Sequence, residues 1–280
     1  MISATNILDH IKSIGTWVDW DKSLDKVTWG DPHKIISKMM IAWMPSNEVF
    51  RQCLDWNADA LLTHEAIFNW LVDEAPDSRD EFFFTEKLQL LNQSNFTVIR
   101  CHDVWDLIPK VGVHDTWVKG LGFDSYPSAR PNVDQNSAAE KNLAEYTEII
   151  ELPGISLKEL CRHVLEKVRR FGVREVQYVG DGAAVINRVL LATGAIGTRE
   201  QFVFTWEKGA DAGIFTDEIN YWSSVYWARD VGLNCIFVPH SVSEAFGMES
   251  MAKFFENQFP QIEIKFSPEG TPHHSTSDEA

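Results

Sequence analysis

Short apolar runs alternate with longer amphipathic stretches along most of the chain. Ile36–Trp43 reads as a buried strand, and Pro45-Ser46-Asn47 as a turn that caps a helix. Val49, Cys53, Leu54 and Trp56 recur near the helical period, which carries that helix to about Asn57. Ala60–Thr63 is a second strand ending at His64. A helix near Phe83–Asn95 leads to a third strand, Phe96–Cys101, ending at His102. Leu157, Leu160, Cys161, Val164, Leu165 and Val168 lie on one face of a helix over Ser156–Phe171. Strands follow at Glu175–Val179, Arg188–Ala192, Asp211–Phe215 and Asn234–Val238, with helices between them, including Glu218–Val231 and Ser243–Phe259. This alternation predicts α/β architecture. The run Tyr126–Asn142, with two prolines and many small polar residues, has no periodicity. It divides the chain into an N-terminal α/β domain (1–126), a linker (127–142) and a C-terminal α/β domain (143–280). The tail from Ser267 reads as frayed.

The same pattern leaves polar residues at the carboxyl ends of strands: Thr63-His64-Glu65, His102-Asp103 and His240-Ser241. In open α/β sheets, ligands occupy the crevice outside those ends. Charge sharpens the picture. The 280 residues carry 41 acidic and 25 basic side chains, a formal net charge of −16. Clustered Lys and Arg are what phosphate backbones require, so direct nucleic-acid binding is disfavoured, and so is an anionic membrane surface. A surplus of carboxylates instead suits divalent cations. No apolar run reaches the ~18 residues needed to span a bilayer. The N-terminal sequence MISATNILDHIKSIGTW lacks the basic start of a signal peptide. The four cysteines are far apart and form no CxxC pair, which points to a reduced, cytoplasmic setting.

Three constellations can carry chemistry. In Thr63–Trp70, His64 and Glu65 offer an imidazole and a carboxylate, a set that suits Zn, Mn or Fe; alternatively they cap the following helix. Cys101–Asp106 holds His102, Asp103 and Asp106, and a carboxylate placed after a strand can bridge two cations or simply accept backbone hydrogens in a turn. In Pro239–Phe255, Glu244 stands four residues after His240 at the opening of a helix. Ser241 or Ser243 is the expected N-cap there, and Glu244 can also serve only the helix dipole. Elsewhere, His10, His163 and His114 read as packing or surface residues, and His273 and His274 as solvated. Val179–Val185 and Ala192–Gly197 complete no phosphate loop, and no GxSxG elbow occurs.

In this order and with these flanks, the constellations resemble the Nif-three-like family of dinuclear metal-centre proteins, some of whose members are called GTP cyclohydrolase type I-like. The matching stretches are Trp29-Gly30-Asp31-Pro32, Ala58–Ala66, His102–Asp106, Gly209–Trp222 and Pro239–Met251. The resemblance implies two similar α/β domains with the metal site in the cleft between them. It places metal ligands at His64, Glu65, Asp106, His240 and Glu244, holding two divalent ions (Mn, Fe, Zn or Mg). His102 lies at the edge of that site, and His102 or Glu218 would relay protons. The chain departs from the family pattern where Glu65 replaces a second histidine, Asp217 a glycine, Trp222 a histidine and Pro239 a glycine. With Glu65 ligating, the donor set is harder, which favours Mn, Fe or Mg. The implied activity is metal-dependent hydrolysis of a small-molecule substrate, either GTP cyclohydrolase-like or of a phosphoester or nucleotide. The rival is a non-catalytic, metal-stabilised scaffold, and a homo-oligomer, often a hexamer, is expected in either case. The chain's 11 tryptophans include Trp56, Trp70, Trp105, Trp222 and Trp227 in or beside the motifs. They either stack a planar base or pack in the core.

Overall fold

A computed structural model describes residues 1–68, 81–134, 137–197 and 199–274, so Trp70 lies outside the described residues. The chain divides into two compact units. One comprises Met1–Gly112 and Gly247–Glu269, the other Val113–Phe246 and Gly270–Ala280. The division thus falls at 112/113, and a late segment returns to the first unit. The run 127–142 carries structure of its own, with Ser128–Ala129 pairing to the second unit's sheet and Ala138–Glu145 forming a helix.

The first unit is built on a five-stranded sheet in the order Val27–Trp29, Thr97–Arg100, Ala60–Thr63, Lys38–Ala42, Glu263–Phe266. Its three central strands are parallel, and nearly every residue in them is buried. That is why they read as continuous apolar runs rather than alternating ones. The helix Asn47–Trp56 starts on Ser46, whose hydroxyl accepts the Val49 N–H, and stops at Asn57 in the left-handed region. The Gly30 turn also has a steric reason. Its φ is +83°, and a Cβ there would stand 2.9 Å from the Phe96 carbonyl oxygen.

The second unit holds a six-stranded sheet in the order Ser128–Ala129, Thr147–Ser156, Val185–Ala192, Ala212–Thr216, Asn234–Val238, Gln177–Val179. Val185–Ala192, Ala212–Thr216 and Asn234–Val238 run parallel. The helix Leu157–Val168 opens with a reciprocal capping box between Ser156 and Glu159, and it buries Leu157, Leu160, Cys161, Val164 and Val168.

Several sequence expectations need correction. The strand Thr147–Ser156 was hidden by Pro153 and Gly154, which sit at a register shift where Gly154 has φ +82°. The helix expected over Glu218–Val231 begins only at Trp222, because Asp217–Ile219 forms a 3-10 turn. The helix expected from Ser243 begins at His240. The tail from Ser267 is not frayed through its described part. The Ser267 hydroxyl donates to Gln52, and the Glu269 carboxylate accepts from the Met44 N–H and the Ser46 hydroxyl. No helix of the described residues is long and apolar enough to cross a membrane.

Lys87 ties the first unit's loops together, donating to the Pro45 and Ile67 carbonyls at 2.8 and 2.6 Å. Burial pushes its pKa down to about 8, against the opposing pull of Glu269. Between about pH 8 and the ordinary lysine value near 10.4, the unfolded chain still holds this proton and the folded chain has released it. Stability therefore rises with pH across that window, by at most about 3 kcal/mol from this group. Urea unfolding of wild type and Lys87→Met at a series of pH values should show the difference in unfolding free energy growing toward alkaline pH. A flat difference would contradict the assignment.

Candidate metal centre

In the first unit, the strands Ala60–Thr63 and Thr97–Arg100 are parallel neighbours, with Thr63 opposite Arg100. His64 and His102 follow those strand ends, and their rings stack with centroids 4.5 Å apart. The His64 Nδ1 lies 3.2 Å from the Cys101 carbonyl oxygen, and its Nε2 lies 3.3 Å from Asp106 Oδ1. A carbonyl only accepts, so Nδ1 carries the proton and Nε2 presents its lone pair to the carboxylate. Two electron-rich atoms face each other stably only with a cation between them, either a proton or a metal ion. The other oxygen of Asp106 lies 3.4 Å from His102 Nδ1, which also contacts Asp103 Oδ1 at 3.1 Å. Asp106 is thus placed between two imidazoles. His64, His102 and Asp106 each offer one ligand atom within 4.8 Å of the others.

Asp106 reaches that position because the short helix Asp103–Leu107 is capped from a distance. His102, at the cap position, uses no side-chain bond to close it. Instead, the buried Asp25 carboxylate accepts the N–H groups of His102, Asp103 and Val104. Burial raises the Asp25 pKa, and these bonds only partly offset that. Asp103 is fixed in turn by the Leu24 N–H and the Ser23 hydroxyl at 2.8 and 2.9 Å. Burial works against its charge, yet the His102 ring and these donors hold its carboxyl down to about 2. Burial opposes a charged His102, but the Asp106, Asp103 and Glu65 carboxylates together outweigh it and raise the His102 pKa.

Glu65 is buried beside a cation that no sequence motif predicts. Arg100, wholly buried, sits 3.7 Å from a Glu65 oxygen and donates to the His64 carbonyl at 3.2 Å.

The second unit repeats the device. Ala212–Thr216 and Asn234–Val238 are parallel neighbours, with Thr216 opposite Val238, and Glu218 and His240 follow their ends. The His240 Nδ1 contacts Glu218, and its Nε2 contacts the buried Glu244 at 2.8 Å, one helical turn on. Burial opposes a charge on His240, but Glu244 and Glu218 outweigh it and hold its pKa well above the ordinary value. The helix cap expected from Ser241 or Ser243 comes from elsewhere, since the Asp217 carboxylate accepts the His240 N–H at 3.0 Å. Ser243 instead donates to the His240 carbonyl, and Ser241 to Gly270. Asp217 therefore fills the family's glycine position with a structural role.

Asp25, Arg100 and the capping role of Asp217 were not found from the sequence. Asp25 and Arg100 lie in no motif, Asp217 stood out only as a departure from the family pattern, and each works across a long sequence separation. The histidines set aside do pack: His10 against Phe254, Phe255 and Phe259, His163 on Phe123, and His114 buried beside Thr193 and Glu148. Trp105 is a core residue, wholly buried, with its indole N–H donating to the Gly247 carbonyl. Trp222 is 67% exposed.

Imidazole nitrogens paired with carboxylate oxygens, with each Nδ1 anchored by an acceptor, fit a borderline divalent cation. The model of the Duf34/NIF3 family (NGG1p interacting factor 3) matches residues 2–272. The chain belongs to the NIF3 family. A Clostridium perfringens relative called GTP cyclohydrolase 1 type 2 homolog is 25% identical over 215 residues, covering 77% of this chain and 76% of that one. Among solved structures, a Bacillus cereus protein related to NIF3 superposes with a TM-score of 0.74 at 13% identity, covering 98% of each chain. Reduced HcgD from Methanocaldococcus jannaschii gives 0.70 at 20% identity, covering 95% of this chain and 97% of that one. These two likenesses establish the NIF3 fold.

Replacing Asp25 by Ala in this NIF3-family chain leaves three N–H groups at the helix start, one buried and two part-buried, without their acceptor, at a cost of about 2–4 kcal/mol. Denaturant unfolding should show that loss, and metal content should fall with it as His102 and Asp106 lose their placement. Unchanged stability would refute the remote cap.

Proposed function

We propose that this NIF3-family protein is a divalent-metal protein with hydrolase activity on a small phosphoester or nucleotide. The observation that carries this reading is the His64–Asp106–His102 set, an imidazole with its Nε2 lone pair aimed at a carboxylate that also faces a second imidazole. Its proposed ligands are His64, Glu65 and Asp106, with His240 and Glu244, holding two ions in all. A bound divalent ion would supply Lewis acidity and lower the pKa of a coordinated water toward ~7. The chain's own residues do the rest. Cys101 and Glu218 orient the His64 and His240 rings through Nδ1. His102, held by Asp103, and Glu218, held by His240, would accept or return a proton. The name of the Clostridium perfringens relative supports a nucleotide as the substrate class.

A scaffold reading is favoured by one observation. Tyr221, Trp222 and Tyr226 are 54%, 67% and 60% exposed around one helix start, as at a surface that meets another protein chain. A homo-oligomer, with a hexamer as the first expectation, belongs to either reading.

Protein purified without chelator or an affinity-column metal should hold about two equivalents of divalent ion per chain. His64→Ala and His240→Ala should each lower that number, and should lower turnover across a panel of nucleotides and phosphoesters by at least about a hundredfold. Less than about one equivalent in wild type would sink the metal reading. A His64→Ala protein that loses metal while every measured turnover stays unchanged would decide for the scaffold.

A further inference from the structure

The basic residues of this acidic chain are unevenly spread. Lys167, Arg169, Arg170 and Arg174 fall within one short stretch, at the end of the helix Leu157–Val168 and the turn after it. Arg170 stacks on Phe171 and Phe246 at 4.3 and 4.8 Å from their centroids. Just beyond, a cavity of about 280 Å³ opens within the second unit, lined among others by Arg174, Gln177, Asp217, Pro239, His273 and His274. One wall of this cavity adjoins His240. Asp217 accepts the His240 N–H at 3.0 Å, and Pro239 precedes it in the chain.

Another part of the lining is delivered by the C-terminal segment, which is held in place. Thr271 donates its N–H to the Phe171 carbonyl, Ser241 donates to the Gly270 carbonyl, and the His273 N–H donates to Thr271 Oγ1. Gly270 is required for this path, since a Cβ there would lie 2.3 Å from the Phe171 oxygen. Two imidazoles are thereby placed on the same cavity as a guanidinium. The lining also carries two carboxylates, Asp217, which accepts the His240 N–H, and Glu175; Arg174, Glu175, Gln177, His273 and His274 are all exposed.

We propose that this cavity anchors a phosphoryl group of the substrate, an inference that rests on reading His240 as a metal ligand. Arg presents a rigid fork of donors that matches phosphate oxygens, and the imidazoles and the Gln177 amide add further N–H donors. A chain of charge −16 repels polyanions unless basic residues are concentrated where the anion must enter. The cavity is smaller than a typical drug-sized pocket, so it suits a phosphate with part of its ester rather than an entire nucleotide.

The test is titration of metal-loaded wild type, Arg174→Ala and the double variant His273→Ala/His274→Ala with inorganic phosphate and with a nucleoside 5′-monophosphate, with metal content measured on the same samples. Wild type should bind phosphate saturably. Each variant should bind both probes at least about tenfold more weakly, at unchanged metal content. Unchanged metal separates this subsite from phosphate held by the ions themselves. A monophosphate that binds more tightly than free phosphate supports a nucleotide ester as the source of the group, and equal binding supports recognition of the phosphoryl group alone. Variants that bind within twofold of wild type, or a wild type with no saturable phosphate binding, would overturn the proposal. Wild type lacking metal would instead overturn the metal reading.

Discussion

The candidate site residues of each unit depend on one constraint: carboxylates and imidazoles buried side by side must be neutralised without help from water. Asp25, Glu65, Asp106 and Glu244 are all under 10% exposed. A buried carboxylate that lacks a partner costs several kcal/mol, so each such group must meet donors or a cation. The chain meets that demand in three ways. Asp25 takes three backbone N–H groups at a helix start, Glu65 lies beside a buried guanidinium, and Glu244 lies against an imidazole that its neighbours keep ready to carry charge. Asp106 differs, because both of its oxygens face imidazole nitrogens. Of these carboxylates it is the one whose surroundings most call for a cation.

The two units solve the placement problem in the same way. In each, two parallel strands end side by side, and chemistry-bearing residues leave the sheet one or two positions later. His64 and His102 do so after Thr63 and Arg100, Glu218 and His240 after Thr216 and Val238. Parallel pairing sets this up because all strand carboxyl ends lie on one edge, where backbone and side chains leave the sheet together. The histidine then needs a fixed tautomer, and an oxygen acceptor at Nδ1 supplies it: the Cys101 carbonyl in one unit, the Glu218 carboxylate in the other.

How much of this was legible in the sequence follows from the range of each interaction. The central strands and the helix cap at Ser46 were readable because apolar runs and capping residues act within a few positions. The strand-end histidines were readable for the same reason. Glu263–Phe266, by contrast, is an edge strand of four residues with alternating exposure, too short to stand out, and it pairs with Lys38–Ala42 from the far end of the chain. Asp25, Arg100 and the capping role of Asp217 escaped because their partners lie between 23 and 79 positions away. The start of the helix at His240 was misplaced for this reason. Ser241 and Ser243 looked like local caps, yet a carboxylate from the neighbouring strand end occupies that role.

Arg100 alters the argument about which metal this site would prefer. Replacing the family's second histidine by Glu65 adds a hard, negatively charged donor, which on its own shifts preference toward Mn, Fe or Mg. A carboxylate that shares its charge with a guanidinium 3.7 Å away is a weaker donor than an isolated one. The pairing also explains how a buried glutamate can be accommodated at this position at all, since the Arg100 stem is wholly enclosed and its second contact is the His64 carbonyl. Glu65 and Arg100 therefore act as a unit. Together they add little net charge, so Glu65 brings less hardness to the donor set than an unpaired carboxylate would. That set is borderline rather than hard, so the exchange of histidine for glutamate changes the site's electrostatics less than the sequence alone suggests.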